Sequence, residues 1–234
     1  MSLPKIKYPI FELTLPSSKS KIQFRPFTVK EEKILLIAQE SDELTDKLRA
    51  LRQIVNNCCL NLDQDIGTLP AFDLEYVFLK IRSKSVGNII ELTYRDNDDQ
   101  KTYDFTVDID TVEVEFNPNH KKNIELTNSL GIIMKYPTIE ILERAKVDTS
   151  DTNSVLTLVS QCIDTIYDEE TTYNPKEYTI DELKDFVDSL SAKDFAKITA
   201  FFETMPNIKH TLKYKDSNGT EKTIVLQGID DFFQ

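Results

Sequence analysis

Ile90-Glu91-Leu92-Thr93-Tyr94-Arg95-Asp96-Asn97-Asp98-Asp99 carries apolar residues at every second position into an acidic turn, and Tyr103, Phe105, Val107 and Ile109 carry the same alternation back. Period two on both sides of a polar turn predicts an antiparallel hairpin over 88–109, with Val112, Val114 and Phe116 extending the sheet. A near copy lies downstream. Leu92-Thr93-Tyr94-Arg95-Asp96 aligns with Leu212-Lys213-Tyr214-Lys215-Asp216 at an offset of 120, and Lys101-Thr102 with Lys222-Thr223 at 121. Each hairpin follows an aromatic-rich helical stretch, Phe72 to Phe78 and Phe195 to Phe202, and Val55-Asn56-Asn57-Cys58 is echoed by Val159-Ser160-Gln161-Cys162. The expectation is two related helices-then-hairpin halves near 28–116 and 139–227, built by duplication. A chance likeness between two amphipathic hairpins is the alternative.

Outward from the hairpins, the N-terminal 27 residues alternate as well. Tyr8 to Leu15 and Lys21 to Phe27 read as two strands around a Pro16-Ser17-Ser18-Lys19-Ser20 turn, with Pro9, Pro16 and Pro26 keeping at least one at an edge. Thr28-Val29-Lys30-Glu31 is a capping box opening a helix through about Gln39. Leu44, Leu48, Leu51, Val55 and Cys58 form one helical stripe, and Pro70 to Ser83 a third helix. Ile132 to Pro137 reads as a short strand. Helices are expected over 139–147 and 153–167, from the capping box Thr179-Ile180-Asp181-Glu182 to Leu190, and from Ser191 to Glu203, where Met205-Pro206 stops the run. The fold class is therefore α+β, divided as an N-terminal β-ribbon (1–27), a first helical and hairpin half (28–138) and a second with an aromatic tail (139–234).

The chain has 234 residues, 40% hydrophobic and 29% charged, with a net charge of −12. That length buries a core without disulfides or metals. No stretch reaches the roughly 18 to 20 apolar residues of a membrane span, and Met1-Ser2-Leu3-Pro4-Lys5 has no apolar signal core, so a soluble cytosolic protein is expected. Charge is uneven. Residues 1–33 hold seven bases and three acids, a balance of +4, whereas 148–194 hold three Lys and twelve acids, a balance of −9. Solvated faces explain both blocks; two ends that meet complementary partners, or copies of the chain, are the alternative. An acidic chain argues against nucleic-acid binding, which a basic surface usually leads.

No site of catalysis assembles from the motifs. The chain contains no G-x-G-x-x-G, P-loop or G-x-S-x-G pattern, and His120 and His210 have no sequence-local partner. Cys58, Cys59 and Cys162 read as reduced, mostly buried thiols without zinc-ligand spacing. Asp96 to Asp99 begins like a calcium loop, but its sixth position is Lys101 and its twelfth Val107, so a solvated hairpin turn is expected. Asp168-Glu169-Glu170 reads as the end of an exposed helix. The terminal Gly228-Ile229-Asp230-Asp231-Phe232-Phe233-Gln234 either docks on its own core or anchors a partner. No cofactor and no metal are expected.

Phe24-Arg25-Pro26-Phe27-Thr28-Val29-Lys30-Glu31-Glu32-Lys33 after Leu3-Pro4-Lys5, Arg82-Ser83-Lys84-Ser85-Val86-Gly87, Met134-Lys135-Tyr136-Pro137, and Met205-Pro206 with Leu226 to Phe233, in that order, resemble the baseplate hub assembly proteins of T-even-type contractile-tailed bacteriophages. The resemblance spans nearly the whole chain, carried by the order of its motifs. It implies a non-enzymatic role in baseplate hub assembly, as hub component or assembly chaperone, with phage hub and tail proteins as partners, self-association as a further contact, and neither nucleic acid nor membrane. The implied locations are the host cytoplasm during assembly and the tail baseplate of the virion. Members of that family can carry Cys pairs at hairpin tips suggestive of zinc ribbons; the tips here are Asp96 to Asp99 and Asp216 to Gly219, so no zinc site carries over.

Partner-contact candidates are Phe11, Phe24, Arg25, Phe27, Lys84, Tyr136, Phe232 and Phe233. The ribbon over 8–27 offers an edge for strand addition. A general adaptor module binding a host or other phage protein is the second reading, and a small hydrolase without recognisable motifs the third.

Overall fold

A computed structural model describes residues 6–41, 43–62, 65–146, 151–228 and 231. It is an α+β fold that begins with a strand ribbon. Two compact units divide it: Met1–Ile66 with Phe72–Glu115 and Asn207–Gln234, and Gly67–Ala71 with Phe116–Pro206.

In the first unit, β1 (Phe11–Thr14) pairs antiparallel with β2 (Lys21–Phe24), Phe11 opposite Phe24. Helix α1 (Val29–Gln39) starts at the expected capping box, the Thr28 hydroxyl accepting from the helix and Glu31 accepting from the Thr28 N–H. It packs on α2 (Leu44–Cys58), whose stripe buries Leu48, Leu51, Ile54, Val55 and Cys58. Helix α3 (Ala71–Ser85) buries Leu74, Val77, Phe78 and Ile81 completely. Each such side chain contributes about 1.5–3 kcal/mol over its exposed state. Two hairpins complete the unit. β3 (Ile89–Arg95) pairs with β4 (Thr102–Asp108) from Ile89 opposite Asp108 to Arg95 opposite Thr102. The short β5 (Val114–Glu115) does not extend that sheet; it pairs with β10 (Asn207–Lys215), which pairs in turn with β11 (Glu221–Gln227).

The second unit is a four-stranded antiparallel sheet with helices. Its order is β6 (Asn123–Glu125), β7 (Leu130–Met134), β8 (Ile163–Asp168) and β9 (Thr172–Tyr173). Helices α4 (Ile139–Ala145), α5 (Thr152–Gln161), α6 (Ile180–Asp188) and α7 (Ala192–Thr204) accompany it. Ile132, Met134, Ile163, Ile166, Val187, Ile198 and Phe201 share its core.

This corrects the helix expected over 153–167. The helix stops at Gln161, and β-branched Ile163, Thr165 and Ile166 continue as the strand that pairs with β7. Asp168-Glu169-Glu170 is accordingly a hairpin turn and not a helix end: Asp168 Oδ1 accepts from the N–H groups of Glu170 and Thr171. All three thiols are free, and burial pushes Cys58 up to about 11 and Cys162 up to about 12, which disfavours the reactive thiolate.

Candidate interaction surfaces

The ribbon is anchored from within its own unit. Arg25 donates to Glu31 Oε1 at 3.2 Å and to the carbonyls of Asn57 at 3.0 Å and Pro26 at 2.9 Å. Burial alone would raise the Glu31 carboxyl, but hydrogen bonds from Arg25 and Thr28 outweigh it and hold it at about 2. At the other end of the ribbon, Ser17 donates through both its N–H and its hydroxyl to the fully buried Asp73 of α3. The free side of β2 is taken by residues 58–60, since the Arg25 N–H reaches Cys58 O at 3.0 Å and the Leu60 N–H reaches Gln23 O at 2.8 Å. Among the described residues the outer edge of β1 has no partner strand. Ile6, Tyr8 and Ile10 lead into that edge and are exposed.

Helix α1 exposes a second apolar surface. Its core side carries Glu31, Leu35 and Ala38, and its outer side Val29 (65% exposed), Leu36 (54%) and Ile37 (70%). The spacing i, i+7, i+8 puts these three on one face. A helix apolar on its solvent side has a face suited to a partner.

Three further features organise the first unit. The Lys80 ammonium, itself buried, donates to the carbonyls of Asp110 at 2.7 Å and Val112 at 2.9 Å and wraps the following loop around α3. Lys84 pairs with Asp110 at 2.7 Å, and Ser83 donates to the same carboxylate. The two hairpins meet through aromatic rings: Tyr214 lies 4.6 Å from Tyr103, 5.8 Å from Phe105 and 6.1 Å from Tyr94, centroid to centroid. Asp96, expected in a solvated turn, is only 3% exposed, because Tyr214 and Lys222 both donate to its Oδ2.

In the second unit Tyr136 is half-buried and stacks on His120 at 5.5 Å and Phe201 at 5.9 Å, with the Lys122 ammonium 4.1 Å from its ring centroid. His120 Nδ1 lies 3.0 Å from the Thr204 hydroxyl, whereas its buried Nε2 has no hydrogen-bond partner.

The structure thus brings Phe11, Phe24, Arg25 and Phe27 into one N-terminal structure. Phe24 is a core residue (2% exposed) stacked on half-buried Phe11 at 5.7 Å, and the Phe27 N–H donates to Ser85 Oγ. Lys84 is exposed on α3 and Tyr136 lies in the other unit. Phe232 and Phe233 lie outside the described residues. Val29, Leu36 and Ile37 were not among the sequence candidates, although the run Leu35-Leu36-Ile37-Ala38 carries the signal: four consecutive apolar residues cannot all face one side of a helix.

Among the described residues no helix is long and apolar enough to cross a membrane, and no group of three His, Cys, Asp or Glu side chains is placed to hold a metal ion. No curated protein and no solved structure matches this chain. A family model, described as T4 bacteriophage base plate protein, matches residues 8–234. With all but the first seven residues under that match, the chain belongs to the T4 bacteriophage base plate protein family.

Proposed function

We propose that this protein works in building the baseplate hub, as a hub component or an assembly chaperone, through protein–protein contacts and without catalysis. The observation that carries this reading is the family match over 8–234, which gives the chain a structural or assembly role in a phage baseplate. Two surfaces of the first unit support contact with tail proteins: the unpaired edge of β1 and the apolar outer face of α1. Strand addition at β1 would supply main-chain hydrogen bonds, and Leu36 and Ile37 the apolar anchor. Within this proposal Phe11, Arg25, Phe27, Lys84 and Tyr136 flank or line contacts, Phe24 stacks against Phe11 from the neighbouring strand, and Phe232 and Phe233 anchor a partner. The chain meets its partners in the host cytoplasm and stays in, or leaves, the tail baseplate according to which of the two roles it has.

Quantitative mass spectrometry of gradient-purified particles beside the matching lysate separates those roles. Fixed stoichiometry with tail proteins in particles makes it a hub component; abundance in lysate with absence from particles makes it a chaperone. Absence from particles together with no association with tail proteins in lysate overturns both.

A further inference from the structure

The second unit holds a cleft of about 370 Å³ whose chemistry runs against that of the chain around it. Its lining includes Lys135, Arg144 and Lys176, three cations gathered in a protein of net charge −12. Lys135 follows β7, Arg144 belongs to the last turn of α4, and Lys176 sits in the 3₁₀ turn Pro175–Glu177, so three separate elements converge there. Lys135 and Lys176 make no ion pair among the described residues, and Arg144 approaches only Glu140, at 3.7 Å, while 69% exposed. The lining also contains Ser160, which is 1% exposed and whose hydroxyl has no hydrogen-bond partner. A buried hydroxyl left unpaired is destabilising, and a ligand oxygen would supply the missing partner. Ile141, Ile163 and Leu183 supply an apolar lining.

We infer that this cleft docks an acidic peptide segment of a partner protein, a carboxylate beside a bulky apolar side chain. The cations select the carboxylate, the Ser160 hydroxyl takes one of its oxygens or a neighbouring peptide carbonyl, and the apolar lining desolvates the adjoining side chain. A small inorganic anion would leave the apolar lining unused, and a basic or neutral peptide would leave the cations unmatched. The inference rests on the reading that the chain acts through protein contacts, and it names the chemistry of one of them.

The test uses the full chain and fluorescein-labelled acetyl-Glu-Glu-Leu-Leu-amide, a sequence the chain itself lacks, in fluorescence anisotropy, with Lys-Lys-Leu-Leu and Glu-Glu-Ser-Ser peptides as comparisons. Expected is saturable binding of the first peptide alone, weakened by added salt, roughly tenfold by Arg144→Gln combined with Lys176→Gln, and severalfold by Ser160→Ala. Both cations are exposed, so the double variant should keep its fold, checked by circular dichroism; Lys176→Gln alone serves if it does not. No saturable binding at millimolar peptide, equal binding of the Lys peptide, or indifference to the substitutions overturns the inference. Displacement of the peptide by equimolar acetate also overturns it, leaving a simple anion site. A double variant that enters particles or tail complexes normally while wild type fails to bind peptide refutes the cleft and leaves the baseplate role intact.

Discussion

Lys222 Nζ lies 2.7 Å from Asp96 Oδ2, so a base on the last hairpin neutralises the buried acid at the tip of the other. The same ammonium reaches Asp98 at 2.7 Å and Asp216 at 3.8 Å, the Tyr214 hydroxyl donates to Asp96 Oδ2 at 2.7 Å, and the Ser217 N–H donates to Asp99 at 3.0 Å. Both tips use one device: Asp96 Oδ1 accepts from the Asp98 N–H and Asp216 Oδ1 from the Asn218 N–H. A single lysine thus ties together two Asx turns.

Lys222→Met should release the tips from each other. It leaves the Asp96 carboxylate buried without its cation, so the first unit should melt earlier and the amides of Asp98 and Asn218 should exchange faster with solvent, while Lys222→Arg should retain most of the protection. Native-state hydrogen exchange measures this. The hydrogen bond from Lys222, with those from Asp98 and Tyr214, holds Asp96 below its ordinary value of 3.8. The lock is therefore fully present above that value and lost only as pH falls through the lower, folded one.

Glu31→Gln should destabilise the first unit by about 2 kcal/mol at neutral pH, because it removes the charged acceptor of the partly exposed Arg25 guanidinium. The sign with pH follows from the depressed carboxyl. Its contribution is complete above 4.5 and disappears between there and about 2. Urea unfolding at a series of pH values should show that acid limb in the native protein and a flatter one in the variant.

His120 acts in the same direction with pH, but through its neutral form. Burial, with Lys122 nearby, lowers its imidazole below the usual 6.5, so the folded second unit prefers the neutral ring. Stability is complete above 6.5 and falls as pH drops through the folded value, since the unfolded chain takes up the proton more readily. His120→Phe should remove that loss below pH 6.5 while keeping the ring stack with Tyr136 and Phe201, read by thermal unfolding of the two proteins.

Gly131→Ala tests the close approach of two strands. Gly131 lies opposite Tyr167, and an added Cβ would overlap the Tyr167 ring, whose hydroxyl donates to Asn123 at 2.6 Å across the sheet. Displacing that ring should cost about 1–3 kcal/mol, measured by denaturant unfolding; Tyr167→Ala in the same background should recover part of it.

What the sequence made legible follows from where its periodicity was strong. Alternation over 90–109 and 211–226 placed both hairpins, and their likeness aligned Tyr94 with Tyr214, Asp96 with Asp216 and Lys101 with Lys222, which singles out Tyr94, Asp96, Tyr214 and Lys222 among the repeated positions. That these residues meet was not legible, because the likeness gives equivalence and not contact. The strand at Ile163–Asp168 was missed because helix α5 runs into it with only Cys162 between, and a helical pattern carried past its cap hides a short strand. The three-residue β6 and the two-residue β9 are too short for any period. Among the partner candidates, Phe24 shows the limit plainly: an alternating aromatic reads the same whether its face is covered or open. The outer face of α1 is hard to read in the sequence because one apolar run supplies both faces, Leu35 and Ala38 the core and Leu36 and Ile37 the exterior.

Tagging the chain in phage-infected cells and identifying what co-purifies with native protein and with Leu36→Asp/Ile37→Asp shows whether it joins baseplate proteins through the exposed face of α1. Both side chains are exposed, so the fold should change by less than about 0.5 kcal/mol. Tail baseplate proteins should be recovered in fixed ratio with the native chain and lost from the folded variant. Recovery of no baseplate protein with the native chain, or of the same set in the same ratio with the variant, would contradict that contact.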